Sequence, residues 1–507
     1  MADVNQSPES VDFRDIQGIV RFGHGQLTEA SFLLLRVRSA GGALEWLAKA
    51  PVTTAEKLSD PPTTALQVAF TCEGLQALHL PNEILEGFSA EFQSGMAGQE
   101  SRSRRLGDVG ASSPESWQWG SPGKVPHLIV MLYAKTGLLD TWTKAIQGPA
   151  WDAAFEVLDS LATSNLQGVE PFGFNDGISQ PTLDWDRSRT PAIDELEYTN
   201  LSSLGEYLLG YPNEYGKYTQ RPLIATGGVA STLLSPAEDV PDKLDFGRNG
   251  AFLVVRQLQQ DVRGFWRFVD KQAGSNPQSR QALAESMVGR QMDGTSLLPA
   301  VAQSIPGLDP KTASQNNFTY DSDRDGTHCP FGAHIRRANP RNADLPASNG
   351  LLGRMLHRLG FCNPGFRDDV IASTRFHRML RRGREYGPAL SPADAVADGP
   401  DTGEHGIHFI CVVANILRQF EFVQNSWIIS TKFDALTEES DPLLGNRQPV
   451  EGTPFTNTFS LPCEMEPRTR IMNVPQFITV RGGAYFFLPS LSALRYLVTI
   501  SKNVEAS

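Results

Sequence analysis

The sequence predicts an α+β protein with antiparallel sheets, arranged as two halves of similar size. Two observations carry this. Short runs rich in Val, Ile, Leu and Phe are bounded by turn residues, as buried strands are. Helical patterns lie among them without strict alternation, so a parallel sheet built from strand–helix–strand units is not indicated.

In chain order the strand-like runs are FLLLRV (32–37), ALQVAFT (65–71), HLIVMLYA (127–134), AFLVVRQL (251–258), HFICVVANI (408–416) and AYFFLP (484–489). Helical patterns cover 81–92, 149–164, 276–292, 416–427 and 490–501, the first with Pro in its opening turn. Residues 178–245 are rich in Gly, Pro, Tyr and Ser and read as a long connection, and a second irregular insertion spans about 340–372. The expected division is residues 1–240 and 241–507. A crevice between two such halves suits a large ligand.

Lys and Arg number 45 against 57 Asp and Glu, a net charge of -12, which argues against general nucleic-acid binding. The opening MADVNQSPESVDFRD has neither a basic nor an apolar leader segment, and no apolar run approaches the ~20 residues of a membrane span. A cytoplasmic protein without membrane attachment is expected. Cys72, Cys329, Cys362, Cys411 and Cys463 are odd in number and scattered, so no disulfide framework is expected. Residues 324–384 hold twelve Arg, no Lys and four Asp, a local net of +8. Arg without Lys suggests planar, bidentate anchoring of carboxylates or phosphates, beside the simpler reading of a solvated basic face.

Four segments carry chemistry. GFNDGISQP (173–181) sets Asp176 between glycines and beside Phe172 and Phe174. Asn-Asp-Gly signals a tight turn, but Pro171 and Pro181 argue against a regular hairpin, so Asp176 is either a turn residue or a working acid. THCPFGAHIRRANPR (327–341) offers His328, Cys329 and His334. Their spacing is wrong for a zinc knuckle, whereas a single neutral His on an apolar cavity can ligate haem iron. In FHRMLRRGREYGP (376–388) the arginines are either a solvated face or the source of one inward guanidinium. In the segment 407–428 a buried strand runs into an amphipathic helix that carries Glu421 among aromatics. If buried, that acid needs a partner, and a ligating His is one.

Taken in order, GFNDGISQP, CPFGAHIRRANPR, MLRRGREYG, NILRQFEFVQNSW and VRGGAYFFLPSLSALR resemble the dye-decolourising peroxidases, a haem peroxidase family. The opening DIQGIVRFGHGQL and the strand NGAFLVVRQLQQDV match its style, so the resemblance runs from about residue 14 to 497. The length, and the long insertion between His334 and Arg381, are most similar to the larger members, shared by fungi and some bacteria.

The resemblance implies two ferredoxin-like domains of the dimeric α+β barrel type, with haem between sheet and helices. The N-terminal domain would carry the distal Asp loop, the C-terminal one the haem ligand and distal Arg. His334 would be the proximal ligand of one haem b per chain, Asp176 the distal acid–base group and Arg381 the distal arginine. Ile407 and Phe409 would line the distal pocket, and Arg336 would anchor a propionate. Glu421 would be the acid behind His334, with Asp293 and Asp323 as alternatives. Tyr386 matches a surface radical site of some members. The implied reaction is reduction of hydrogen peroxide with oxidation of dyes, phenols or similar reductants, best at acidic pH, with homo-oligomer formation left open. A haem carrier or sensor is the alternative, and a non-haem metal site at His328, Cys329 and His334 a third reading. Two departures stand out: the missing leader, unlike secreted members, and Gln291-Met292 where a more aromatic pattern is expected.

Overall fold

The computed structural model describes residues 10–189, 199–298, 313–341, 374–400, 403–448, 455–463 and 467–505. The insertion expected at 340–372 and Cys362 therefore lie outside the described residues, apart from the first two positions of that insertion.

Among the described residues one large sheet organises the chain. Its strands are β1 (Glu29–Val37), β2 (Thr64–Phe70), β3 (Leu128–Ala134), β4 (Phe155–Ala162), β5 (Ala251–Gln260), β6 (Leu380–Arg381), β7 (Arg384–Tyr386), β8 (Gly406–Val413) and β9 (Ile478–Leu488). They run in the order β6-β8-β5-β9-β2-β3-β1-β4, with β7 also paired to β8. All these pairings are antiparallel. The fold is α+β, and all six strand-like runs read from the sequence lie in this sheet.

The strands β2, β3 and β5 are buried along nearly their whole length because both faces of the sheet are covered there. Leu66, Val68, Val130, Val254 and Phe487 point into one core, which the helices Ala40–Lys49 and Leu491–Glu505 close. Ala65, Ala69, Met131, Val255 and Phe486 point into the other, under Tyr207, Leu208 and Tyr211 of the long connection. One-residue alternation between two cores follows from the period of two along a strand. The two groups of strands meet at one paired position, Phe487 of β9 against Phe70 of β2.

The helix expected over 149–164 is corrected by the structure. Only Trp151–Ala154 is helical, and Phe155–Ala162 forms the edge strand β4. The open edge of β1 supplies partners along its length, which outweighs a weak local helical preference. A bulge between Leu34 and Leu35 shifts the register, so Phe155 enters one core and Leu161 the other. The helix expected over 81–92 breaks at Gly87 and Phe88 into Asn82–Leu85 and Ala90–Ser94. The helix expected over 416–427 is present but wound as π-turns: Glu421 N–H donates to the Ile416 carbonyl and Ile429 N–H to Gln424, each five residues back. Among the described residues no helix is long and apolar enough to cross a membrane.

Candidate haem-peroxidase site

On the helical face of the sheet, beside its C-terminal strands, lies a cavity with about 1760 Å³ of empty space, part of it open to solvent. Leu258 of β5, Ile407 and Phe409 of β8 and Ile478 of β9 form its floor. Asp176, Arg381 and His334 all line it, although 205 positions separate the first two. Ile407 and Phe409 share the cavity face, as alternate strand residues must. His408 between them points the other way, onto Tyr386 and Phe32.

Asp176 sits on a loop closed by its own N–H on the Gly168 carbonyl (2.9 Å) and by a bridge between Val169 and Asn175. Asn175 clamps the loop from outside. Its N–H donates to the Met292 carbonyl (3.0 Å) and its side-chain amide to the Asp293 carbonyl (2.7 Å). Gly173 has φ +101°, and a Cβ there would lie 2.9 Å from the Met292 methyl, so the position requires glycine. The Gln291-Met292 turn, a departure at the level of sequence, is thus the jaw that grips this loop.

Arg381 ends β6. The Gln180 side chain accepts its N–H at 3.0 Å and so fastens the Asp loop to the strand. Its guanidinium donates to Asp176 Oδ1 at 2.8 Å and to the Ser179 carbonyl at 3.4 Å. Burial opposes a charge on Asp176, but Arg381 and the Gly177 N–H outweigh it and hold the carboxyl below its ordinary value. The turn reading and the acid reading are compatible, since the turn sets the carboxylate on the cavity wall.

His334 opens the short helix His334–Ala338. Its Nδ1 lies 2.9 Å from Asp441 Oδ2, and Asp441 is fully buried, with Oδ1 accepting the N–H groups of Leu443 (2.9 Å) and Leu444 (2.8 Å). An acceptor at Nδ1 puts the proton there and leaves a lone pair on Nε2. Burial disfavours charge on the ring, yet Asp441 more than offsets it and raises the proton affinity of His334. Asp441 is held low in return by the ring.

Asp441, and none of the acids weighed from the sequence, stands behind His334. Glu421 is buried elsewhere, 2.9 Å from Arg102 Nε and accepting the Tyr485 hydroxyl at 2.9 Å. Asp293 is exposed and caps Thr295, and Asp323 pairs with Arg336 at 2.9 Å. Arg336 is therefore corrected too. It is locked onto Asp323 and the Cys329 carbonyl, between the rings of Tyr320 and Phe331, and does not line the cavity. The arginines that do are Arg290, Arg378 and Arg381. Tyr386 is not at the surface: it is 8 % exposed, stacked 4.5 Å from the His408 ring, and donates to Glu404 at 2.8 Å. Gly406 opposite makes this fit, since a Cβ there would meet the phenol ring at 2.6 Å.

Among the described residues no group of three His, Cys, Asp or Glu side chains is placed to hold a metal ion, so His328, Cys329 and His334 do not come together. The arginine-rich segment mostly binds the protein itself. Arg337 donates to the Trp427 and Ser430 carbonyls, Arg382 to Ile19 and Val20, Arg384 to His24 and Leu27.

The cavity fits a haem by its donor set. One imidazole nitrogen is oriented by a buried acid, apolar walls surround it, and guanidinium groups suited to carboxylates line the same space. No family model matches the chain. It is 26% identical over 518 residues to a dye-decolourising peroxidase of Mycetinis scorodonius, covering 97% of this chain and 89% of that protein. It is 28% identical over 462 residues to one from Auricularia auricula-judae (88% and 78% covered), and 30% identical over 363 residues to a multifunctional dye peroxidase of an Amycolatopsis species (66% and 62%). The crystal structure of a fungal dye-decolourising-type peroxidase from Auricularia auricula-judae superimposes with a TM-score of 0.70 at 26% identity, over 97% of this chain and 100% of that one. With relatives that match nearly its whole length, a shared fold and a cavity suited to haem, this chain is similar to the dye-decolourising peroxidases, and that likeness supports a hydrogen-peroxide-dependent peroxidase.

Proposed function

We propose that the chain binds one haem b through His334 and reduces hydrogen peroxide with Asp176 as acid–base group and Arg381 as electrostatic partner. One observation carries this: Asp176 and Arg381 are hydrogen-bonded to each other on the wall of the cavity that His334 also lines. His334 would ligate the iron, Ile178, Val288, Ile407, Phe409 and Leu443 would form the apolar walls, and Arg290 and Arg378 a polar edge for the haem carboxylates.

When bound, the haem supplies an iron that takes up peroxide and accepts its oxidising equivalents. The chain's own work is proton transfer and charge control. The Asp176 carboxylate accepts the proton of the inner peroxide oxygen and returns it to the outer one, which leaves as water. Arg381 keeps that carboxylate ionised and offers positive charge where the leaving oxygen gathers electrons. Asp441 fixes the ring of His334 and makes it a stronger donor. Because Asp176 is held below its ordinary value, it remains a base in acid, which supports an acidic optimum.

The reductant class, dyes or phenols, extends to this chain what its relatives' names say of them. Free thiols at Cys72, Cys329, Cys411 and Cys463 support a reducing, cytoplasmic setting. The division at about residue 240 has support in the strands: β1 to β4 precede it, β5 to β9 follow it, and each group is contiguous in the sheet.

The test is stopped-flow mixing of the haem-loaded protein with peroxide. Asp176→Asn and Arg381→Leu should slow the spectral change by about 100-fold or more. Rates equal to the unmodified protein in both variants overturn the assignment. Slow reaction of the unmodified protein would instead indicate a carrier.

A further inference from the structure

Glu170 is a second carboxyl on the cavity wall, and the mechanism above does not use it. It lies six residues before Asp176, at the root of the same loop. Its Oε1 accepts the Phe174 N–H at 3.0 Å, while Oε2 accepts the Phe172 N–H at 3.0 Å and the Gln260 amide at 2.8 Å. Its own N–H donates to the Phe174 carbonyl at 2.9 Å, and its carbonyl accepts from Gly173 at 2.8 Å. One residue therefore closes the loop by side chain and backbone together, and ties it through Gln260 to the end of β5.

Three donors converge on this side chain, and only an acceptor with two oxygens satisfies them all. Glutamine would turn an N–H₂ against one of the backbone N–H groups. The Phe172 and Phe174 rings are buried in the cluster with Phe265 and Trp266, so the backbone between them cannot shift freely to find other acceptors. The loop then continues through Asn175, held by the Met292–Asp293 turn, into Asp176. Asp176 is thus aimed by two anchors, the Glu170 carboxyl inside the loop and the Met292 turn outside it.

We propose that Glu170 is the positioning residue for Asp176, holding its loop against β5 so that the carboxylate keeps its aim at the reacting oxygens. Burial lifts Glu170 to about 7 despite its three donors, and Asp176 is the ionised neighbour that raises it further. The clasp accordingly changes protonation near neutrality, where Asp176, held low by Arg381, does not. Gln260, on the strand packed against it, is neutral. This inference rests on the acid–base role given to Asp176.

The experiment compares Glu170→Gln with the unmodified protein in two measurements. The first is hydrogen exchange of the 168–176 amides in the protein without haem, which reads the loop alone. The second is the peroxide reaction of the haem-loaded protein across pH. Glu170→Gln should raise exchange at Phe172 and Phe174 at least tenfold. Above pH 7, where Glu170 is ionised, it should slow the peroxide step about tenfold to 100-fold with the KM for the reductant unmoved, and it should remove any inflection near pH 7. Unchanged exchange, or loosened exchange with an unchanged peroxide rate and pH profile, overturns the proposal. If Glu170→Gln does not fold, Gln260→Ala removes one donor only. The same local loosening with a slower peroxide step supports the proposal, and wild-type behaviour overturns it. Should Asp176→Asn keep the full rate, the acid–base assignment fails by itself, while the exchange measurement still reports whether Glu170 holds the loop.

Discussion

At the scale of single residues, Asp176 and Asp441 are two carboxylates held low by different partners. Asp176 has Arg381 and a backbone N–H, and is held low. Its contribution to stability is present above the ordinary carboxylate range and is lost as pH falls through its depressed value. In Arg381→Leu the carboxyl should rise, so the acid limb of the peroxide rate profile should move to higher pH; a limb that stays in place would show that Arg381 does not set it. Asp441 makes the complementary case. Asp441→Asn offers its amide either oxygen or nitrogen toward Nδ1, and can no longer accept from both the ring and the Leu443 and Leu444 N–H groups as an anion. Haem affinity should fall about tenfold to 100-fold, measured by transfer of haem to an excess of an acceptor protein. Asp176, His334 and Arg381 could be singled out because each lies inside a segment that resembles the family, whereas the residues alone left turn and solvated-face readings open. Asp441 could not: 107 positions separate it from His334, and no local spacing announces a buried acid in SDPLLG.

At the scale of elements, the sequence marked the strands better than the helices. LIVMLYA and AFLVVRQL are apolar on both faces and admit few other placements. FEVLDSLA does admit another, since its helical pattern holds until β1 provides an edge. Glu421 is the buried acid with partners that the sequence suggested, but those partners are Arg102 and Tyr485 in place of His334. The Asp loop was readable as irregular, but its jaws were not, because Met292 and Gln260 come from elements far along the chain. Gly173→Ala tests how tightly those jaws close. It imposes a strained φ and a 2.9 Å contact with Met292, so a stability loss of about 1–3 kcal/mol is expected, seen as a lower melting temperature together with a slower peroxide step.

At the scale of the whole molecule, the halves of the sheet share little backbone pairing, and side chains complete the join. Glu421, carried by the C-terminal half, holds Arg102 of the N-terminal half and the hydroxyl of Tyr485 on β9. Glu421→Ala leaves Arg102, which is 3 % exposed, without its counter-ion. The cost should approach about 3–5 kcal/mol, moderated by the bonds Arg102 keeps to Ser94 and Gly95. Thermal melts should record it, while the absorption of the haem-loaded protein stays as it was. A changed haem spectrum with unchanged melting would restore Glu421 to the proximal side.

The strand that joins the halves, β9, is also the last strand in the chain. During synthesis β1 to β4 can pair among themselves as they emerge, but β2 must wait with an open edge until residues 478–488 arrive. Ile478 on that same strand forms part of the cavity floor. The cavity wall is therefore completed only by the last strand, and a chain cut short of β9 would present an open sheet edge in place of a closed cavity.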